Sequence, residues 1–240
     1  MNKLLQFIYP AIIYTLIISL CSIFMMNSGA LEITLVSAAV SIPIMYYFFR
    51  RDERKRVHEK KKFKFKNVTY LVLLGITACI VGNSVIDLIT ISHMSEGYAE
   101  VQDDIYGSLL WIQILGVGFI IPIVEELIFR ALGFRKLRDW MGFIPAAIIS
   151  SLYFGVYHFN FEQGVYAFLL GFLMSYIYEV YDNFMASVIF HCIANLFSIM
   201  MTVTVLGDII YMSMPMEIGF SVVSFILIIV ILRTISIKYN

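Results

Sequence analysis

Long apolar runs recur along almost the whole of this 240-residue chain, and they restrict it to a membrane fold. A helix needs about 20 apolar residues to cross the hydrocarbon core of a bilayer. Only 14% of the residues are charged, well below the usual share in a soluble domain. We therefore predict an all-α, polytopic transmembrane bundle of about eight helices, near residues 4–26, 31–49, 69–91, 107–129, 142–159, 163–180, 184–206 and 216–232.

The connections between these runs differ in charge. Residues 50–66 contain ten basic and three acidic residues, whereas residues 92–106 contain four acidic residues and no Lys or Arg. Basic loops remain in the cytoplasm, so we predict that both termini are cytoplasmic and that 92–106 faces outward. The basic loop has two interpretations. We favour a topology determinant near anionic lipid over a specific partner site.

Ionisable side chains inside a bilayer cost about 2.5–3.5 kcal/mol each on insertion scales, so they mark function by default. Glu32 and Glu179 lie near the ends of predicted spans, where they can reach headgroups. Asn83 and Asp87 are four residues apart and can bond to each other, as interhelical glue or as part of a site. The remaining polar groups in spans are Glu125, Glu126, Arg130, His158, His191 and Asn195.

The fourth span carries two adjacent glutamates and an arginine. Glu126 and Arg130 are four residues apart in the order that favours a same-face ion pair, which either supports a site or only locks helices together. Glu125 points about 100° away on the helix, so it is the better general base. Pro122, one turn upstream, should loosen the helix and open space beside the carboxylates.

Two later spans carry histidines. His158 lies four residues after Phe154, and Asn195 lies four residues after His191, so each pair shares a helix face. An imidazole N–H and an amide N–H can form an oxyanion site. With Glu125, these residues supply the groups needed to hydrolyse an amide with an activated water.

The depths of the two histidines do not match if both are counted from the inner ends of their spans. At about 1.5 Å per residue, His191 lies roughly 10 Å into the bilayer and His158 more than ~20 Å. Tilt alone does not close that gap. A fifth helix that begins in the inner headgroup layer, which suits Trp140, reduces it further.

Three motifs appear in order along the chain: EELIFR at Glu125–Arg130, FGVYH at Phe154–His158 and HCIAN at His191–Asn195. This order resembles the CPBP family, which includes the type II CAAX prenyl endopeptidases and the bacterial Abi-type membrane proteases. The resemblance covers roughly residues 107–200. It implies an intramembrane endopeptidase of the glutamic or the metal-dependent type.

The resemblance also implies a role for each residue. Glu125 and His158 would activate water, and His191 and Asn195 would stabilise the oxyanion. The second glutamate and the arginine of the first motif would support them. The corresponding domains are N-terminal helices with the basic loop 50–66 (1–106), a catalytic core (107–206) and a C-terminal helix with a tail (207–240).

No cofactor is favoured. Zinc is the alternative, with Glu125, His158 and His191 as ligands, but HExxH is absent and Asn is not a usual zinc ligand. The expected partners are the lipid bilayer and a peptide or protein substrate, without nucleic acid. The Lys-, Ile- and Phe-rich composition indicates a multi-pass protein of a bacterial cell membrane.

Two other functions fit the sequence less well. The chain could be a bacteriocin self-immunity or peptide-binding membrane protein that keeps the protease fold, although its intact motifs favour chemistry. It could also be a transporter or proton relay, since membrane carboxylates and histidines serve that role. Transporters often contain inverted repeats, and none is visible here.

Overall fold

A computed structural model describes residues 2–55, 66–90 and 94–239, and within these ranges every regular element is a helix. The helices are α1 (Lys3–Phe24), α2 (Ala30–Glu53), α3 (Lys66–Thr90), α4 (Glu96–Tyr106), α5 (Leu110–Arg138), α6 (Phe143–Val156), α7 (Phe161–Tyr181), α8 (Phe184–Val203), α9 (Val205–Ile210) and α10 (Met214–Tyr239). In the described chain, seven are long and apolar enough to cross a membrane: α1, α2, α3, α5, α7, α8 and α10. The all-helical prediction is confirmed.

The predicted count of eight spans is corrected to seven long helices and one short one. The fifth predicted span, 142–159, is the 14-residue helix α6. Its length of about 21 Å falls short of the roughly 30 Å hydrocarbon core. The chain turns early because Phe159 adopts a left-handed φ of 58° and the Asn160 side chain caps α7 by accepting from the Gln163 N–H.

The short helix α6 and its successor α7 form the predicted antiparallel hairpin. Gly155 and Gly164 allow the two backbones to touch. A Cβ on Gly155 would lie 2.6 Å from the Gly164 carbonyl oxygen. This close approach fixes the end of α6, and therefore His158, against the first turn of α7.

One predicted boundary is wrong, and one predicted connection contains a helix. The fourth predicted span, 107–129, does not end at Phe129, because α5 continues to Arg138. The predicted outward loop 92–106 contains helix α4, which Ser95 caps by accepting from the Tyr98 N–H. Glu162 holds this cap in place, since it accepts from both the N–H and the hydroxyl of Ser95.

The bundle has a basic end and an acidic end. At the basic end, ion pairs join the helices: Arg135 with Glu53, Lys136 with Asp52 at 3.4 Å, and Arg138 with Glu179 at 2.7 Å. Glu179, which we predicted to lie within reach of headgroups, thus forms an ion pair with Arg138. The acidic end carries Glu96, Glu100, Asp103, Asp104, Asp208 and Glu217.

The predicted basic loop 50–66 lies largely outside the described residues, which stop at 55 and resume at 66. The cytoplasmic location of both termini remains a prediction. That prediction requires basic and acidic side chains to lie at opposite ends of the bundle, as they do in the described residues.

Candidate active site

Helix α5 departs from α-helical geometry on both sides of the first glutamate. It contains π-helical segments at Gly116–Ile120 and Glu126–Phe134, separated by the α-helical Ile121–Glu125. Pro122 has no N–H to donate, and the Ile121 N–H just before it bonds five residues back to the Gly116 carbonyl. The helix is therefore loosened at the predicted place. Short π-helical insertions within α-helices, such as the one at Gly116–Ile120, are frequent at functional sites.

Glu126 and Arg130 form the predicted ion pair, and it is fully buried. Arg130 Nη1 lies 3.2 Å from Glu126 Oε1, and both side chains are 0% exposed. The guanidinium also lies over the Phe154 ring, 4.3 Å from its centroid. A buried charge needs an opposite charge beside it, and here the carboxylate and the guanidinium supply that to each other.

His191 lies between the two glutamates. Its Nδ1 is 3.1 Å from Glu126 Oε1, and its Nε2 is 3.7 Å from Glu125 Oε2. The Glu126 carboxylate can accept a hydrogen bond from the Nδ1–H group. It therefore fixes the orientation of the ring as well as pairing with Arg130. Sequence spacing had predicted only the pairing with Arg130.

Glu125 is the more accessible of the two glutamates. Its side chain is 12% exposed, against 0% for Glu126. It borders a cavity of about 900 Å³, whereas Glu126 and Arg130 do not. The structure thus separates the adjacent carboxylates: one faces a space that admits water, and the other lies behind it in the protein interior.

His158 also borders this cavity, at the C-terminal end of α6. Its Nδ1 is 2.8 Å from the Phe154 carbonyl oxygen. A carbonyl oxygen only accepts, so Nδ1 donates and the neutral ring keeps a lone pair on Nε2. The bond also satisfies a carbonyl that the helix end would leave unpaired.

Asn195 lines the same cavity one helical turn after His191. Its amide nitrogen donates to the Val117 carbonyl oxygen at 2.8 Å. Val117 lies in the first π segment of α5, so the distorted helix holds Asn195 in place. One N–H of the amide satisfies Val117, and the second remains available to a bound group.

The predicted mismatch in depth between the histidines is not found. The Phe154 ring centroid lies 4.8 Å from that of His158 and 5.9 Å from that of His191, so both rings pack against one phenylalanine. Trp140, just before α6, lies near Lys3 at the basic end, with the Lys3 Nζ 5.6 Å from the ring centroid. This position agrees with a helix that begins close to the membrane surface.

Sequence reasoning missed the aromatic wall that α1 contributes to the cavity. Tyr14 is 2% exposed and stacks on Tyr157, with ring centroids 6.2 Å apart. The Tyr157 hydroxyl lies 3.1 Å from Thr15 Oγ. A tyrosine within an apolar run carries no signal that separates this position from any other in a span.

Asn83 and Asp87 line the cavity, but they do not form the bond that their spacing allows. Asn83 instead donates to the Cys79 carbonyl oxygen at 2.9 Å. Outside the spans, burial raises the pKa of Tyr98, another lining residue, to about 12, so this residue stays uncharged at neutral pH.

The three residues of the zinc alternative, Glu125, His158 and His191, do not form a ligand set. Across the described ranges, no group of three or more His, Cys, Asp or Glu side chains could hold a metal ion. The residues present therefore do not fit a zinc centre in this arrangement.

Comparison with known proteins places the site within a recognised sequence family. Residues 107–197 match the family described as type II CAAX prenyl endopeptidase Rce1-like. The UPF0177 protein YxdF of Lactococcus lactis subsp. lactis (strain IL1403) is 34% identical over 82 residues, which is 34% of this chain and 45% of that protein. The "Putative membrane peptidase YdiL" of Bacillus subtilis (strain 168) is 30% identical over 80 residues, 33% of each chain.

The chain therefore spans less than half the length of these curated relatives in each match. No solved structure matches it. The segment that matches the family, residues 107–197, contains Glu125, His158, His191 and Asn195.

Proposed function

Residues 107–197 belong to the Rce1-like type II CAAX prenyl endopeptidase family, and on this premise we propose that the chain is an intramembrane endopeptidase that hydrolyses a peptide bond with activated water. One observation carries the proposal. Three motifs from three helices place Glu125, His158, His191 and Asn195 around a single cavity. The lining of this cavity thus includes a carboxylate, an imidazole lone pair and an amide donor, which are the groups that hydrolysis by activated water needs.

In the proposed mechanism, water in the cavity is bound between Glu125 and His158. Glu125 takes a proton from the water as general base, and the Nε2 lone pair of His158 orients the water by accepting its second hydrogen. The resulting hydroxide attacks the substrate carbonyl carbon. The proton held by Glu125 then passes to the leaving amine.

Asn195 and His191 are proposed to stabilise the oxyanion. The free amide N–H of Asn195 can donate to it, and the cavity-side Nε2 of His191 can do so when the ring carries a proton on both nitrogens, because Nδ1 already donates to Glu126. Glu126 acts through His191, because its carboxylate fixes the ring from behind. Arg130 neutralises Glu126 and so allows that carboxylate to remain in the interior.

The test is a cleavage assay in detergent or liposomes with candidate precursor peptides. Wild type is compared with Glu125→Gln, and each is assayed with and without a chelator. Glu100→Gln serves as the matched control, because Glu100 is exposed on α4 and does not border the cavity. We expect cleavage by wild type and by the control but not by Glu125→Gln. Unchanged cleavage in Glu125→Gln would exclude the base assignment. Loss of cleavage with chelator alone would show that a metal is required.

The same experiment separates catalysis from peptide binding. A chain that only sequesters a peptide would protect cells equally well with Glu125→Gln and with the wild-type sequence. We expect any cellular phenotype to disappear with that substitution.

A further inference from the structure

The cavity that borders the proposed site has negatively charged walls. Asp87, Asp104 and Asp208 line it together with Glu125, and no described Lys or Arg does. None of the three aspartates forms an ion pair with any residue in ranges 2–55, 66–90 and 94–239. The charge is therefore available to something that enters the cavity.

The aspartates come from separate elements that surround the cavity. Asp87 lies near the end of α3, Asp104 in α4 and Asp208 in α9. Asp104 and Asp208 belong to the acidic end of the bundle, and Asp87 lies about one turn before the end of α3 on that side. Arg135, Lys136 and Arg138 of α5 lie at the opposite end and pair with their own acidic partners. A cleft lined by charge of one sign concentrates ligands of the opposite sign and guides them inward.

A second, uncharged group also lacks a partner inside the cavity. The Tyr14 hydroxyl is buried, and no hydrogen-bond partner for it exists among the described residues. A buried polar group without a hydrogen-bond partner destabilises the protein. A bound ligand that pairs with the group removes this cost. The cavity volume of about 900 Å³ lies near the upper end of the range that is usual for ligand pockets, roughly 300–1,000 Å³.

We propose that the substrate is a cationic peptide, with Lys or Arg residues near the cleaved bond, that enters from the acidic end of the bundle. This inference rests on the proposed endopeptidase function, since it names the substrate class of the same site. The aspartates would hold the basic side chains, and the peptide backbone would reach Tyr14 and the polar groups around Glu125.

The test measures binding separately from cleavage. Three fluorescent decapeptides are identical except that two positions are Lys, Ser or Glu. Their affinities are measured on full-length Glu125→Gln, which should bind without cleaving. In that background, Asp104→Asn with Asp208→Asn is compared with Asp103→Asn with Glu100→Gln, which removes the same charge from exposed residues that do not border the cavity.

We expect the Lys peptide to bind about tenfold more tightly than the Ser peptide, and the Glu peptide more weakly than either. The cavity double variant should weaken binding of the Lys peptide about five- to tenfold, and the matched control less than twofold. The difference should shrink between about 50 mM and about 500 mM salt, because ions screen exposed charges. Equal binding of the three peptides, or equal losses in the two double variants, would overturn the inference.

Cleavage of the same peptides by wild type distinguishes the two proposals. If the Lys peptide binds preferentially through Asp104 and Asp208 but no peptide is cleaved, the cavity selects cationic peptides and the endopeptidase proposal fails. If all three peptides are cleaved with equal kcat/KM, the endopeptidase proposal stands and the cationic substrate class is wrong.

Discussion

The candidate site has one side that faces the cavity and one that lies in the protein interior, and the adjacent residues Glu125 and Glu126 fall on opposite sides. On the cavity side, Glu125, His158 and Asn195 line the open cavity. On the interior side, Glu126 and Arg130 are fully buried and committed to each other and to His191. The cavity side should therefore govern chemistry with little effect on folding, and the interior side should govern folding and act on chemistry only through His191.

The largest expected effect is on the cavity side. His158→Asn can retain a donor to the Phe154 carbonyl oxygen but removes the Nε2 lone pair. We expect cleavage to fall by about 10²- to 10⁴-fold, the range for loss of a group in acid–base catalysis. The free energy of unfolding, measured by thermal unfolding in detergent, should change by less than about 1 kcal/mol. The substitution opens no core cavity and leaves no buried charge without a partner. Normal cleavage would remove His158 from the mechanism.

On the interior side, Arg130→Met should mainly reduce stability. The substitution leaves the Glu126 carboxylate buried without its cation. Breaking one partner of a buried pair costs about 3–5 kcal/mol. Chemical or thermal unfolding in detergent would measure this loss, with Glu125→Gln as the matched charge change on the cavity side. A variant as stable as wild type would contradict the division between the two sides.

A smaller effect is expected where α7 packs against the interior side. A Cβ on Gly171 would lie 2.9 Å from Arg130 Nη2 and 3.3 Å from Ser151, so Gly171→Ala must displace a fully buried guanidinium. Overpacking of this kind costs about 1–3 kcal/mol. Gly219→Ala is the control, because a Cβ there meets nothing within 4 Å. Equal stability of the two variants would show that the interior side tolerates movement of Arg130.

The smallest effect should come from Tyr14, which is as buried as the interior side but lines the cavity. Tyr14→Phe removes a hydroxyl that has no partner among the described residues. Stability should therefore change by less than about 0.5 kcal/mol. KM for a cleaved peptide should rise about two- to fivefold, with kcat little changed. A loss of stability with constant KM would assign Tyr14 to the interior side instead.

Local spacing predicted much of this arrangement. The contact between Glu126 and Arg130 follows from their separation of four residues, and it forms even though α5 is π-helical there. The grouping of Glu125 with His158, His191 and Asn195 at one cavity matches the expectation from the three motifs. The catalytic roles of these residues remain predictions.

Long-range packing was beyond the reach of sequence reasoning. The contribution of Tyr14 depends on how α1 packs against Tyr157, a contact between residues far apart in sequence. The relative depths of His158 and His191 depend on where each helix begins and how it tilts, which neighbouring helices determine. The fifth predicted span, 142–159, was counted as a full span because composition showed an apolar run but not that the chain reverses at Phe159.

The walls of the cavity have a consequence for how such proteins diversify. Glu125, His158, His191 and Asn195 lie within the family domain at 107–197, whereas Tyr14, Leu31, Asp87 and Asp104 precede it. In the proposed endopeptidase, mutation of the first hundred residues would therefore change which peptide is accepted and leave the proposed hydrolytic residues in place. Chains that share this core should be classified for substrate by their N-terminal helices, and exchanging those helices between them is the natural route to altered specificity.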